Sequence, residues 1–195
     1  MNFKLFVILV LLVFQSRLVG QSYEYKIEIA GIRIGDLNVS KSFKDSITTY
    51  QFQSKVKFWL FGTVHVNHEI TTTYKNNQLM TCLSNSLVNG TTYKSSVKWN
   101  GTYYDIDAHT YQYDFVGKIF EPIHWSVTRI YFDEPVNQTR IFSENYGVWA
   151  ETKLLKRGIY EVQVNKSHNK YYFQSGFLYK IVMDNKVKNF TILKK

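Results

Sequence analysis

Several short stretches of the sequence contain side chains that could do chemistry, and "HVNHE" is the first of them. It contains His65, His68 and Glu69, residue types that bind divalent metals. On a strand, however, a spacing of three places His65 and His68 on opposite faces, so they cannot share a metal ion. His65 and Glu69 share a face, but two ligands make a poor site. We therefore predict no metal and no cofactor.

The stretch "TYYDIDA" offers a pair of carboxylates of the kind that glycosidases use. Asp105 and Asp107 lie two residues apart and so share one face of a strand. Tyr104 and Ile106 occupy the other face, which we expect to pack on the core. The aspartates should then face water, and this stretch predicts a half-buried strand rather than an active site.

The segment 121–135, "EPIHWSVTRIYFDEP", breaks the strand pattern and is bracketed by the only two prolines of the chain. It predicts a short helix near 125–132 with Ser126 as its N-cap. Val127, Ile130 and Tyr131 would share one helix face. Ser126 has no G-x-S-x-G elbow and no identifiable triad around it. We expect this segment to plug or cover one end of a curved sheet, and we expect that the protein is not an enzyme.

Three charged residues, Arg129, Glu134 and Glu144, lie in or near this segment and could form a charge cluster beside the helix. Two interpretations stay open: an ion pair that fixes the helix onto the sheet, or a ligand-binding group.

Aromatic residues make up 17% of the chain, and "KFWLF" places four large apolar residues at a predicted hairpin tip. Adjacent residues point to both faces of a strand, so some of them must contact something other than a one-sided core. Two interpretations stay open for this tip. It folds over the end of the barrel, or it contacts something else, as the lip of an apolar cavity or as a loop that touches the membrane. The residues that we predict to bind a ligand are Phe58, Trp59, Phe61, Trp125, Arg129, Tyr131 and Glu144.

Most of the remaining chain alternates apolar and polar residues with a period of two, which is typical of strands. Turn signals such as the Asn-Gly pairs at 89–90 and 100–101 separate the strands. We predict strands near 22–30, 33–43, 46–58, 63–75, 78–88, 91–99, 102–107, 110–116, 138–143, 147–155, 158–165, 169–174, 177–183 and 186–193. The predicted fold class is all-β, an antiparallel up-and-down meander forming an open or closed, lipocalin-like barrel or half-barrel. Strands 22–30 and 186–193 are its natural edges unless they pair with each other.

The first hairpin, "YEYKIEIAGIRIGDLNV", contains two glycines inside a strand pattern. Gly31 and Ile32 fit a two-residue II′ turn with glycine first. If Ile34 points inward, the period of two would turn Leu37 outward. A bulge at Gly35 would correct this mismatch and curve the sheet.

The first twenty residues indicate a secretory leader. Lys4 precedes an unbroken apolar run over residues 5–14, which is too short to cross a bilayer. We predict a leader over 1–20 and a single domain over 21–195, with no transmembrane helix. Cys82 is the only cysteine, so no internal disulfide can form, and we expect it to be buried.

The formal charge of +9 falls by two when the leader is removed, and the basic residues are scattered rather than gathered in a patch. Export and this scatter both argue against a nucleic-acid partner. The lysines near the C-terminal end either lie on a solvated strand face or touch anionic lipid head groups.

The stretches "AGIRIGDL", "HWSVTRIYFDEP", "IFSENYG" and "YYFQSGFLYKI", in this order, resemble a domain-of-unknown-function family of exported β-meander proteins from the Bacteroidota. The resemblance implies export and a β-rich meander, and it supplies no catalytic residues. The layout of this family is also similar to that of envelope proteins with an open half-barrel that accommodates lipid.

From these observations we expect an exported cell-envelope protein, in the periplasm or on the periplasmic face of the outer membrane. The first hypothesis is a non-catalytic binder of an apolar or lipid-like ligand. The alternative is a structural or assembly partner of another envelope protein, acting through edge strands or an apolar patch. Peripheral contact with a membrane is compatible with both.

Overall fold

The computed structural model describes residues 19–59, 62–111, 113–184 and 189–195. Residues 1–18 of the predicted leader and Phe61 of the predicted ligand set therefore lie outside the described residues. The strands are β1 (Val19–Ile29), β2 (Ile32–Lys44), β3 (Ile47–Trp59), β4 (Thr63–Lys75), β5 (Gln78–Val88), β6 (Thr91–Trp99), β7 (Tyr104–His109), β8 (Asp114–Ile119), β9 (Arg140–Ser143), β10 (Val148–Lys156), β11 (Ile159–Val164), β12 (Ser167–Gln174), β13 (Phe177–Met183) and β14 (Phe190–Lys194). One short helix, α1 (Val127–Ile130), lies between β8 and β9. Within the described residues, no helix has the length and apolar character needed to span a membrane.

All fourteen strands form a single antiparallel sheet in the order β8 to β1 and then β14 to β9. The predicted antiparallel meander is thereby confirmed. The first and last strands pair with each other, from Tyr25 opposite Lys194 to Ile29 opposite Phe190. The edges of the sheet are therefore β8 and β9, the two strands that flank the predicted plug segment.

The sheet curls but remains open, because its two edge strands, β8 and β9, are not hydrogen-bonded to each other. The turn between β9 and β10 fills the gap by packing. At Gly147 in this turn, φ is 67° and an added Cβ would lie 2.4 Å from the side chain of Ile106 and 3.4 Å from that of Phe115. Only glycine permits this approach, so one side of the opening is closed by side-chain contact.

Alternation along the strands sorts residues between the interior and the solvent. On β7, Tyr104 and Ile106 are buried, whereas Asp105 and Asp107 are exposed. The two aspartates lie on the outer surface, as their spacing predicts. Cys82 is fully buried and unpaired, and burial raises the pKa of its thiol well above the ordinary value.

The first hairpin differs from the sequence prediction in its turn. The loop residues are Ala30 and Gly31, with φ of 52° and 82°, and Ile32 already belongs to β2. Positive φ at both loop positions defines a I′ turn, so the predicted II′ turn at Gly31 and Ile32 is wrong. The right-handed twist of the strands favours the I′ form even though it places alanine at positive φ.

A bulge follows this turn. The pairing steps from Ile27 opposite Gly35 to Glu28 opposite Arg33, so that Ile34 has no partner on β1. Gly35 then returns to the same inward face as Leu37. An added Cβ at Gly35 would lie 2.2 Å from the carbonyl oxygen of Lys55. The extra residue that resets the register is therefore Ile34, one position before the predicted Gly35, and Gly35 lets β3 approach β2 closely.

The segment between β8 and β9 enters the curved sheet and fills its interior. Ile123, Ile130 and Tyr131 are all buried among side chains from the strands. Residues 125 and 126 run beside β9, where the N–H of Phe142 donates to the carbonyl of Trp125 at 2.8 Å. The expected plug is present, and it also covers the exposed edge of β9.

Candidate functional site

The centre of the plug is built around the buried carboxylate of Glu144, which follows directly after β9. Its Oε2 accepts the N–H of Val127 at 2.9 Å, and its Oε1 accepts the N–H of Thr128 at 3.0 Å. The hydroxyl of Thr128 donates to Oε1 at 2.6 Å. A carboxylate at a helix N-terminus satisfies N–H groups that would otherwise lack partners, so Glu144 caps α1.

This arrangement corrects the predicted role of Ser126. Ser126 occupies the N-cap position in extended conformation, but its side chain makes no capping hydrogen bond. Its hydroxyl instead accepts the hydroxyl of Tyr74 at 2.7 Å and donates to Glu144. A residue distant in sequence supplies the cap because the β9–β10 turn folds back into the interior.

The polar network ties the plug to β4. The hydroxyl of Thr128 also lies 3.3 Å from that of Thr72, which donates to the Sγ of Cys82. Tyr74, also on β4, binds Ser126 from the same side. Burial raises the pKa of Glu144, and the hydrogen bonds from Ser126 and Thr128 oppose that shift.

Beside this network lies a partly open cavity of about 240 Å³ between the plug and the sheet. Most of its wall is apolar or aromatic, formed by Phe52, Ile70, Val127, Tyr131, Tyr146, Val162, Val164, Tyr171, Met183 and Ile192. Polar groups occupy the rest of the wall: His68, Thr128, Ser143, Glu144, Asn145 and Asn169. A concave apolar chamber with a few convergent polar groups is the usual form of a small-molecule site.

His68 on β4 is the titratable base of the cavity wall. Protein surrounds its imidazole, and burial lowers its pKa to about 4, so the ring is neutral at pH 7. Its Nε2 lies 3.1 Å from the hydroxyl of Ser84, which donates its own proton to Asn145 Oδ1 at 2.9 Å. Nε2 must then carry the hydrogen, which leaves Nδ1 as a free acceptor.

Several groups of the wall have unused hydrogen-bonding capacity. Within the described residues, neither the hydroxyl of Tyr131 nor that of Tyr171 makes a hydrogen bond, and both residues line the cavity. The amide of Asn169 accepts the N–H of Asp184 at 2.9 Å and keeps its Nδ2 hydrogens unused in the described part of the chain. With His68 Nδ1, these groups offer donors and acceptors to an occupant of the cavity.

The structure brings only part of the predicted ligand set to this cavity. Tyr131 and Glu144 lie in its wall. Phe58 points inward at the end of the barrel and packs edge-on against Phe190, with ring centroids 6.0 Å apart. Trp59 is 76% exposed and points away from the interior. Phe58 and Trp59 do not line the cavity.

Arg129 and Trp125 lie on the opposite side of the plug. The guanidinium of Arg129 lies over the ring of Trp125 at 4.3 Å and pairs with Asp133 at 3.0 Å. It also donates to the side chain of Asn77 in the turn between β4 and β5. Arg129 therefore fastens the plug to the sheet and does not line the cavity.

The predicted charge cluster of Arg129, Glu134 and Glu144 does not form. Arg129 pairs with Asp133, and Glu134 accepts the hydroxyl of Tyr160 at 2.9 Å. Glu144 faces the other side of α1, where it caps the helix. Only Arg129 belongs to α1, so proximity in sequence overestimated the cluster.

Sequence analysis did not identify His68 or Tyr171 as members of a site. His68 lies on the face opposite exposed His65, as their spacing predicts, and it contacts Ser84 rather than a metal ligand. Within the described residues, no group of three or more His, Cys, Asp or Glu side chains is arranged to hold a metal. Inward-facing polar residues on otherwise apolar strand faces are the signal that would have marked this wall.

The fold and this interior define a class of protein: a barrel-like antiparallel β-meander whose interior is filled by a segment of its own chain. The sequence matches the family DUF6134, a domain of unknown function, over residues 25–195, and the chain belongs to that family. The predicted relationship to an uncharacterised family is thereby confirmed. No curated protein matches the sequence.

Among solved structures, the chain is similar to the beta-barrel-like protein of domain of unknown function DUF1849 from Brucella abortus. The TM-score is 0.55 and the sequence identity 8%, and the match covers 92% of this chain and 97% of that chain. Similarity at that identity shows a shared fold and carries no function with it.

Proposed function

We propose that this protein is an exported, non-catalytic binder of a small, uncharged, largely apolar molecule that carries a hydrogen-bonding head. The observation that supports the proposal is this cavity with its unused hydrogen-bonding groups. Polar groups that face a cavity without protein partners are suited to an occupant that completes their hydrogen bonds.

The size of the cavity limits the occupant. About 240 Å³ corresponds to roughly eight water molecules at about 30 Å³ each and lies just below the usual range of drug-sized ligand sites. A single aromatic ring with a short chain suits this volume. A lipid-like ligand would place only a short part of its chain inside.

The charges around the cavity favour a neutral occupant. Its lining contains no lysine or arginine, and the Glu144 carboxyl group occupies one side. An anion would therefore lose its hydration without gaining a counter-charge. A cation would find both oxygens of Glu144 already accepting hydrogen bonds from α1.

The non-catalytic part of the proposal depends on the Ser84–His68 contact. This pair has the separation of a nucleophile and its base, but the Ser84 proton is donated to Asn145. His68 Nδ1 makes no hydrogen bond within the described residues, so it lacks the group that orients the base in a triad.

The leader-like pattern of residues 1–20 supports export to the periplasm or the periplasmic face of the outer membrane. The family resemblance supports a Bacteroidota envelope as the setting.

Three probes of similar size test the ligand class: 4-ethylphenol, ethylbenzene and 4-ethylbenzoate. Thermal unfolding and calorimetric titration of residues 21–195 should show that 4-ethylphenol binds and raises Tm, since a ligand of the native state stabilises it. Ethylbenzene should bind more weakly because it lacks the head group, and the anionic benzoate should not bind.

Tyr171→Phe and Tyr172→Phe form a matched pair for this test, because the two residues are adjacent on β12 and point to opposite faces. Tyr171→Phe should weaken 4-ethylphenol binding several-fold, whereas Tyr172→Phe should leave it unchanged. Failure of all three probes, together with a bare polypeptide mass for the protein isolated from its envelope without detergent, would overturn the proposal.

One observation favours the alternative function, an assembly partner in the envelope. The edge strand β8 has no partner on one side within the described residues. Contact with another envelope protein through that edge would be independent of the cavity.

A further inference from the structure

The two edges of the sheet are treated differently by the fold. On β9, residues 125 and 126 of the plug cover the backbone through a parallel bridge between Ser126 and Phe142. On β8, no backbone group makes a hydrogen bond on the side facing away from β7 within the described residues. The β9–β10 turn contacts β8 through the inward-facing ring of Phe115, which leaves that backbone edge free.

The β8 edge lacks two of the features that usually prevent edge-to-edge pairing, proline and a bulge. It contains no proline, and its pairing with β7 runs from Tyr104 opposite Ile119 to His109 opposite Asp114 without a bulge. Val116 at its centre is 72% exposed on the outer face. A regular, exposed edge strand with an apolar centre is a template for another strand.

The sequence of β8 is complementary to itself. It reads Asp114-Phe115-Val116-Gly117-Lys118, with Asp114 and Lys118 at equal distances on either side of Val116. All three side chains lie on the exposed outer face. In an antiparallel pair of two copies centred on Val116, each Asp114 would lie opposite the partner's Lys118, and the two valines would face each other. Opposite charges and apolar side chains in directly opposed positions stabilise such pairs.

From this symmetry we propose that the partner of the β8 edge is a second copy of this chain, paired antiparallel through β8 across a two-fold axis. The two sheets would then form one continuous sheet. Such an isologous contact closes on itself and yields a dimer rather than a fibre. This inference is independent of the cavity and of the proposed ligand.

Asp114 and Lys118 are each still able to form an ion pair across this contact. Asp114 uses Oδ1 to bind His109 at 2.8 Å, and its Oδ2 makes no hydrogen bond within the described residues. The ammonium of Lys118 lies 4.2 Å from the ring centroid of Tyr103 and has no carboxylate partner in the described part of the chain. Tyr111 and Phe120, at the two ends of β8, add exposed aromatic surface to the same region.

Cysteine crosslinking tests the proposed register directly. Cys82 is buried, so Val116→Cys introduces one reactive thiol. The Val116→Cys protein should form a disulfide-linked dimer rapidly under mild oxidation at micromolar concentration. Asp114→Cys should not crosslink to itself, because the two copies of residue 114 would lie about 13 Å apart. It should crosslink when mixed with Lys118→Cys.

Charge reversal gives a second test that does not need crosslinking. Lys118→Asp places like charges opposite each other at two symmetric positions, and it should weaken the dimer about tenfold in sedimentation equilibrium. The double variant Asp114→Lys/Lys118→Asp restores opposite charges and should recover most of the affinity. Glu69→Lys on the outer face of β4 controls for general charge effects and should leave the dimer unchanged.

Circular dichroism of each variant separates loss of pairing from loss of folding. A folded wild-type protein that stays monomeric up to hundreds of micromolar would overturn the proposal. So would a dimer that crosslinks equally well through Val136→Cys, an exposed position in the plug segment. A monomer that binds a different envelope protein through β8 would also overturn it and would support the assembly function instead.

Discussion

Thr128 donates two hydrogen bonds to the same oxygen of Glu144, from its backbone N–H at 3.0 Å and from its hydroxyl at 2.6 Å. The helix that this residue belongs to has only four residues, too few to be stable alone. The carboxylate therefore holds α1 in place, and with it Val127 and Tyr131 in the wall of the cavity.

Replacing Glu144 by glutamine should show how much the plug depends on this cap. The amide has one acceptor oxygen, so one backbone N–H of α1 would face an NH₂ group instead of an acceptor. We expect a loss of about 2 kcal/mol in the free energy of unfolding, measured by urea denaturation.

The matched control is Glu121→Gln, which removes a surface ion pair with Arg140. That change should cost less than about 1 kcal/mol. Equal losses in the two variants would show that the carboxylate of Glu144 is not needed as the cap.

The stability of the protein should depend on His68 in mildly acidic solution. Burial lowers the pKa of this base from 6.5 to about 4, so the unfolded chain binds a proton that the folded chain rejects between these pH values. The stabilisation is therefore complete above pH 6.5 and is lost as the pH falls to about 4. The loss amounts to roughly 3 kcal/mol, because one pKa unit is worth about 1.4 kcal/mol.

His68→Gln should flatten this part of the pH profile of unfolding free energy. Glu144, whose raised pKa acts in the opposite direction, is present in both proteins and cancels in the comparison. His109→Gln is the control, because Asp114 and Asp107 raise the pKa of exposed His109. His109→Gln should not flatten the profile. An unchanged slope in His68→Gln would contradict the burial of His68.

Gly35→Ala should destabilise the first hairpin. The new methyl group would meet backbone atoms, the Lys55 carbonyl oxygen at 2.2 Å and Val56 Cα at 2.9 Å, and neither can move without separating β2 from β3. We expect a loss of about 2 kcal/mol or more in urea denaturation. Gly31 is the control position, because an added side chain would lie in open space there and asparagine tolerates its φ. Gly31→Asn should lower the free energy of unfolding by only a few tenths of a kcal/mol.

The neighbours Phe58 and Trp59 should differ sharply when each is changed to alanine. Phe58 packs on Phe190 at the end of the barrel, so Phe58→Ala should cost about 2 kcal/mol. Trp59 is exposed, and Trp59→Ala should change the free energy of unfolding by less than about 0.5 kcal/mol. A large loss in Trp59→Ala would show that the hairpin tip folds back onto the barrel.

The strands were predictable because their signals are local. A period of two sets the buried face, and Asn-Gly and similar pairs set the turns, so β4, β5, β6 and β13 begin and end where the pattern predicts. The plug was also predictable, since two prolines interrupt the pattern around it. The first turn was misassigned by one residue because Ala30 adopts a positive φ that its residue type disfavours.

The wall of the cavity was not predictable from local pattern. His68, Tyr131 and Asn169 come from β4, the plug and β12, and they meet only because the sheet curls around the plug. The capping role of Glu144 was missed for the same reason, since its partners lie in a different part of the chain. Such contacts depend on the closing of the whole sheet.

The pairing of β1 with β14 has a consequence for the order of assembly. Each hairpin on either side of the plug can form early from neighbouring residues, whereas this central seam must wait for the last strand. We expect two half-sheets, β1 to β8 and β9 to β14, to form first and to join late along the seam. The plug connects the two halves, so it becomes enclosed, and the cavity comes into existence, only in that last step.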